Sequence, residues 1–407
     1  MLELAAAFSP PEAFEDMLPD EEHFQEHSGN EGASFERSCS RAALVLWPSR
    51  RLFAVVNQAG LGATLPLLAD MAKRWSETGA DRQSTLWRDA RALSEQMARS
   101  WPTANFYGDT EREESDAGRF LATLTELKDA HRISEFFSQV VAIGCFETGD
   151  NAAIVAALLI LPLERGGELL SRIIGGASVN AFGRCADLLA RAVAALGTSE
   201  AARRAARALV AAMPTKASDP YFADDGPNAA EIDARSIADL LKGVAPIDPE
   251  TAVSAVNFAL ARPQVYPMDE TLVPAARELT DQAEFRDAPA AQILRPACSA
   301  HLRARIVEML EPPADWRRPS TIGCRCADCA ELGMFLADPA REVWRLRAIQ
   351  SRRSHVEQTI RNARADVDIR SEKKGSPHIL ACTKNQDSYD RRVMQRAADI
   401  INATALA

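Results

Sequence analysis

Apolar residues recur at helical spacing through most of this chain, and that periodicity limits its folds more than any motif does. Leu65, Leu68, Met71, Ala72 and Trp75 share one helical face, and Trp87, Ala90, Leu93, Met97 and Trp101 form a second stripe that stops at Pro102. Comparable stripes run through 120–127, 133–146, 154–161, 169–174, 182–196, 201–213, 232–241, 252–260 and 272–279. The segments are short and so are the links between them, which forces neighbours to pack as antiparallel pairs. Ala and Leu carry the apolar content and only 6% of residues are aromatic, a balance that favours helix over sheet. The expected fold is mainly α: an irregular α-solenoid-like helical array with a short N-terminal strand pair and a small C-terminal α+β module. No tetratricopeptide, ankyrin or leucine-rich consensus is present.

Three regions are expected across the 407 residues. Residues 1–58 hold an acidic segment followed by two short strands, 42–47 and 52–56, joined by Ser49-Arg50-Arg51. Residues 59–313 form the helical array, with the Asp-, Pro- and Gly-rich stretch 215–228 as a hinge. Within the array, Asp248 and Pro249 supply an N-cap and a first-turn proline, and Arg262-Pro263 ends the helix they begin. Residues 314–407 form a Cys-containing basic module. Its expected parts are a charged helix starting at Asp338-Pro339 and carrying Arg345, Arg347, Arg352, Arg353, Arg361 and Arg364, a strand within 377–384, and a closing amphipathic helix over 389–401.

The tightest chemical signal lies in that last module, where Cys324, Cys326 and Cys329 place three thiols in six residues. Thiolates are soft ligands that hold Zn²⁺ tetrahedrally, and a C-x-C-x-x-C run can set three sulfurs around one ion with a later residue closing the shell. The fourth donor is to be sought among His355, Cys298 and Cys382, with His355 preferred. A structural Zn²⁺ held by Cys324, Cys326, Cys329 and His355 is therefore expected. The rival reading is a reduced cluster of small buried hydrophobes. His23 and His27 stand four apart, but with no third donor nearby their spacing reads as chance.

Catalytic sets are missing from the sequence. There is no G-x-S-x-G, no phosphate-cradling G-x-x-x-x-G-K-[ST], no H-E-x-x-H and no H-x-D, and Ile174-Gly175-Gly176 falls between expected helices rather than after a strand. A net charge of −10 argues against a surface built to grip nucleic acid, and the arginines of the basic module are interleaved with acids and lack stacking aromatics. The longest apolar run, 152–163, is too short for a bilayer and is interrupted by Pro162, so no membrane association is expected. The acidic start lacks the features of a secretory signal, and the scattered remaining cysteines suit a reducing cytoplasmic setting better than a disulfide scaffold.

Several blocks of this sequence nevertheless look familiar. Residues 28–37 (SGNEGASFER) leading into 41–48 (RAALVLWP), residues 263–276 with Tyr266-Pro267-Met268-Asp269, the Cys324–Cys329 cluster, and 375–377 with Cys382-Thr383-Lys384 together resemble large 2-oxoglutarate/Fe(II)-dependent oxygenase proteins of the prolyl-4-hydroxylase-like kind. Ser28 and Cys39 depart from the Thr and Tyr of that pattern. The resemblance covers only the region after the family's catalytic jelly-roll, so it implies no catalytic residue, no iron site and no 2-oxoglutarate site in this chain. It implies a non-catalytic helical scaffold or partner-binding region associated with such an oxygenase. The alternative it implies is the C-terminal part of a split or truncated oxygenase whose catalytic domain is encoded separately, which makes that domain the expected protein partner. A zinc-stabilised nucleic-acid-binding module is the third reading.

Overall fold

The computed structural model describes residues 64–99, 101, 115–139, 141, 146–217, 229–230, 232–318, 320–373 and 375–407. The strand pair expected at 42–47 and 52–56 and the histidines His23 and His27 lie outside them. The described chain is mainly helical, with a three-stranded antiparallel sheet near the C-terminus. It divides into two units, Met1–Pro296 and Ala297–Ala407. Among the described residues no helix is long and apolar enough to cross a membrane.

The first unit holds α1 (64–77), α2 (Thr85–Arg99), α3 (Asp116–Glu126), α4 (Ala130–Gln139), α5 (Asn151–Ile160), α6 (Leu163–Ala177), α7 (Phe182–Leu196), α8 (Glu200–Ala211), α9 (Ala234–Val244), α10 (Pro249–Leu260), α11 (Val273–Asp281) and the one-turn α12 (Ala283–Arg286). Helix α13 (Pro289–Val307) runs through the division at Pro296. Ile174-Gly175-Gly176 lies inside α6 and not between helices as expected, because the stripe of Leu169, Leu170, Ile173, Ile174 and Ala177 continues its buried face through the glycines.

Packing runs between next-but-one helices. Helices α3, α5, α7, α9 and α11 follow one another in contact, as do α2, α4, α6, α8 and α10, so alternate helices fall into two layers. The α7–α9 approach is close because glycine stands at both ends of it. A Cβ on Gly183 would lie 2.5 Å from Ser236 Oγ, and one on Gly243 would lie 2.9 Å from the Ala190 backbone nitrogen. Caps fall where the sequence puts them: Asp248 accepts from the Thr251 amide at 3.1 Å with Pro249 opening α10.

Of the stretch expected as a hinge, 218–228 lies outside the described residues. Its flanks form a two-residue parallel ladder, β1 (Lys216–Ala217) beside β2 (Ala229–Ala230). Two hydroxyls from one segment hold those flanks. The buried Tyr266 donates to the Pro214 carbonyl at 2.9 Å, and Thr271 donates to the Ile232 carbonyl at 3.3 Å. The 263–276 block thus has a packing role in this chain.

In the second unit, α14 (Ala327–Ala337) and α15 (Gln350–Asn362) cover one face of a sheet of β3 (Val343–Arg347), β4 (Val367–Glu372) and β5 (Ile379–Lys384), and α16 (Asp387–Ala405) ends the chain. The strand order is β3-β5-β4, with Trp344 and Ile369 both in register with Cys382. These inward residues meet Leu332, Phe335 and Leu336 of α14 and Val356 and Ile360 of α15 in one core. Phe335 and Trp344 stack at 6.0 Å, and Trp344 donates its indole N–H to Glu331 at 2.9 Å.

Two expectations for this unit are corrected. Asp338-Pro339 begins no helix: the Asp338 carboxylate turns the chain by accepting from the Ala340 amide at 2.9 Å, and β3 follows. Arg345 and Arg347 accordingly lie on a strand. Val343 to Arg347 alternates buried and exposed positions with period two, and that alternation outranks the helical reading suggested by the charges. The division between units also falls at Pro296 and not at 313, since the end of α13 is held to α16 by Arg305, which grips the buried Asp399 at 3.0 and 2.6 Å.

The start of α16 is secured by a residue far away in sequence. Asp366, buried, accepts from the Ser388 amide at 2.9 Å and from the Ser388 hydroxyl, acting as a remote cap. Asp366→Ala is expected to cost about 1–2 kcal/mol in urea unfolding of the second unit. An unchanged midpoint would remove that role.

Candidate metal centre

The three thiols are positioned by a helix start. Cys324 lies on the approach to α14, Cys326 is its N-cap, and Cys329 sits in its first turn with its side chain in the core. His355 comes from the second turn of α15. Its Nε2 lies 3.3 Å from Cys324 Sγ, 3.5 Å from Cys326 Sγ and 3.3 Å from Cys329 Sγ. All four donor atoms lie within 4.8 Å of one another.

That convergence is difficult to explain as hydrogen bonding. One imidazole nitrogen carries either one hydrogen or one lone pair, so it can pair with a single thiol and not with three. A tetrahedral ion with bonds of about 2.3 Å to sulfur and about 2.0 Å to nitrogen separates S and N by about 3.5 Å. The observed 3.3 to 3.5 Å matches that spacing. The cluster can hold a metal ion such as zinc.

The packing alternative fits only one of the thiols. Cys329 is buried, whereas Cys324 is half-buried and Cys326 is exposed. Electrostatics separates the cysteines in the same way. The Cys329 amide, with help from the neighbouring thiols and His355, holds the Cys326 thiol down to about 7, and the positive end of α14 acts in the same sense. Burial pushes Cys329 up to about 11.

A brace that the sequence reading missed joins the two ligand-bearing helices. Arg352 on α15 donates Nε to Asp328 Oδ2 at 2.7 Å and Nη2 to Asp328 Oδ1, a two-pronged pairing beside both Cys329 and His355. The Arg352 fork holds the Asp328 carboxyl below the usual carboxylate range. Thr359, one turn beyond His355, lies 3.5 Å from Cys329 Sγ and donates to the His355 carbonyl at 2.9 Å. The available signal was an Asp inside the cysteine run facing an Arg three residues before the candidate histidine.

Cys298 and Cys382, the other candidates for the fourth donor, do not join the cluster. Both are buried, Cys298 on α13 and Cys382 at the centre of the sheet, and burial pushes each thiol up to about 12. Three arginines of this unit are engaged within it. Arg352 is engaged by Asp328, Arg361 by Glu357, and Arg353 is buried with its Nε on the Ala348 carbonyl at 3.1 Å. No family model, curated protein or solved structure matches the chain.

Proposed function

We propose that the second unit is a zinc-stabilised module, with one Zn²⁺ held by Cys324, Cys326, Cys329 and His355. The observation that carries this is the convergence of three sulfurs on a single imidazole nitrogen at metal-site spacing. Three thiolates and one imidazole suit Zn²⁺ among the common divalent ions, and four protein donors leave no open position for substrate. The role proposed for the ion is therefore structural.

On this reading the first unit is a non-catalytic, α-solenoid-like scaffold that presents a surface to a protein partner. Its support is the two-layer alternation of short helices, the arrangement by which stacked helix pairs build extended binding surfaces. The proposed partner is a separately encoded 2-oxoglutarate/Fe(II) oxygenase domain. That proposal rests on the sequence blocks at 263–276, 324–329 and 375–384, the block at 28–48 lying outside the described residues. The net charge of −10 supports a protein over a nucleic acid.

The chain purified after expression with added zinc should contain about one equivalent of Zn²⁺. Cobalt exchanged into it should give the d–d bands of a tetrahedral site together with thiolate-to-cobalt charge transfer. Metal content well below one equivalent and an octahedral cobalt spectrum would both count against the site. For the partner, a pull-down from the native host read by mass spectrometry should recover a protein with an H-x-D motif and a distal histidine. Its absence removes the oxygenase association and leaves the zinc site untouched.

A further inference from the structure

At the opposite end of α14 from the cysteine cluster, two cations are buried within reach of each other's charge, and no carboxylate pairs with either. Arg318 is 6% exposed and Lys384 2%. The Arg318 amide donates to the Leu336 carbonyl in the last turn of α14 at 2.8 Å. Its side chain donates Nε to the Asn385 carbonyl and Nη1 to the Asp315 and Arg317 carbonyls, both at 2.8 Å. Lys384 donates Nζ to the Asp338 carbonyl at 2.7 Å and lies 4.5 Å from the centre of the Phe335 ring. Arg341 stands over the same ring at 5.7 Å, exposed, and among the described residues its guanidinium has no hydrogen bond or ion pair.

Carbonyls satisfy the hydrogen bonds of these groups but not their charge. A buried charge is costly unless an opposite charge meets it, and here cation sits beside cation. Burial, with Arg318 and Arg341 nearby, holds the Lys384 ammonium below the usual lysine range. The two acids in range are engaged elsewhere. Asp338 Oδ1 accepts from the Ala340 and Arg341 amides at 2.9 and 3.3 Å, and Asp315 is held by the amide and the side chain of Arg317 at 2.8 and 3.1 Å. Arg318 Nη2 is left over: it has no partner and is not among the sealed polar atoms, so its two N–H groups reach solvent.

We propose that this cluster binds a phosphate group, which is taken by Arg318 Nη2 and Arg341 while Lys384 supplies positive charge from behind. A dianion answers three cations better than a single carboxylate does, and a guanidinium edge matches the oxygens of phosphate. Three carbonyls fix the Arg318 guanidinium before any ligand arrives, so little ordering remains to oppose binding. Arg318 and Lys384 also tie the end of α14 to its surroundings, which makes Arg341, free of such duties, the discriminating position. None of the three is a proposed metal ligand, so the two readings fail separately.

The zinc-loaded full chain, prepared without phosphate, should bind inorganic phosphate in calorimetry with a Kd of about 1 mM or tighter. Phosphate should also raise the urea midpoint, where sodium chloride and acetate at equal ionic strength do not. Arg341→Ala should weaken binding at least about fivefold and leave the midpoint in phosphate-free buffer unchanged, while Arg361→Ala on α15 should bind as the parent does. Lys384→Met, which keeps the apolar stem, should lose the phosphate response. A peptide carrying phosphoserine that binds more tightly than inorganic phosphate makes the ligand a phosphorylated partner, and one that binds no more tightly makes it a small phosphate. A parent chain that responds to phosphate no more than to chloride or acetate overturns the proposal, as does phosphate binding that Arg341→Ala leaves unchanged.

Discussion

Cys326→Ser is expected to abolish stoichiometric zinc and to open residues 314–407 to protease, with the helices of the first unit left intact. Cys326 is the cleanest of the proposed ligands to remove, because it is exposed and lies outside the core and Ser is nearly isosteric with Cys. Cys329→Ser is a poorer probe, since Cys329 also belongs to the core. Binding of an ion present at a thousand times its Kd stabilises a fold by about 4 kcal/mol, a large share of the stability of a small unit. Chelation of the parent chain should reproduce the digestion pattern of the variant. The affinity should also rise with pH, because burial keeps a proton on Cys329 in the metal-free state and binding must displace it. An unchanged digestion pattern after chelation would end the structural role.

Gly118→Ala is the second large effect, and its sign is the test. On helix propensity alone the change inside α3 would stabilise by about 1 kcal/mol. A Cβ at this position, however, would lie 2.2 Å from Asp150 Oδ1 and 2.7 Å from its Cγ. Asp150 is fully buried and accepts from the Ser115 amide at 2.8 Å, the Ser115 hydroxyl at 2.6 Å and the Glu147 amide at 2.7 Å. Displacing its buried carboxylate takes the acceptor from three part-buried donors, so a net loss of about 2 kcal/mol or more is expected in thermal or urea unfolding. Ser115→Ala, which removes only the hydroxyl, should cost about 1 kcal/mol. A Gly118→Ala chain more stable than its parent would show that Asp150 can move aside freely.

The helices of the first unit were legible because a buried face at helical spacing is written in every turn, as in Leu65 to Trp75 or Phe182 to Val193. The metal candidates were legible for a different reason, since three thiols so close together have few other uses. Strands β3 and β4 were not legible. In Val343 to Arg347 and Val367 to Glu372 the outward positions are charged, and a short charged alternation next to a long arginine-rich helix resembles an extension of that helix. Asp150 gave no signal at all: a lone aspartate acquires its role only when residues 115 and 147 are brought to it. The exposed Val393, Met394, Ile400 and Ile401 of α16 mark a different limit, because periodicity reveals that an apolar face exists and says nothing of what covers it.

With the proposed ion bound, the spacing of the four donors would also order events during folding. Three sulfurs sit within a single turn and its approach, whereas the imidazole follows Cys329 by 26 residues. The tripod of thiolates can therefore capture an ion while the chain beyond it is still unstructured, and the histidine arrives last. Closing a loop of that length costs the unfolded chain about 3.5 kcal/mol on the chain-entropy relation for a cross-link. Once made, the closure fastens α15 over the inner face of the sheet. Heating or mechanical load on this unit should release the histidine first, and the ion should stay on the three sulfurs until they are protonated or oxidised.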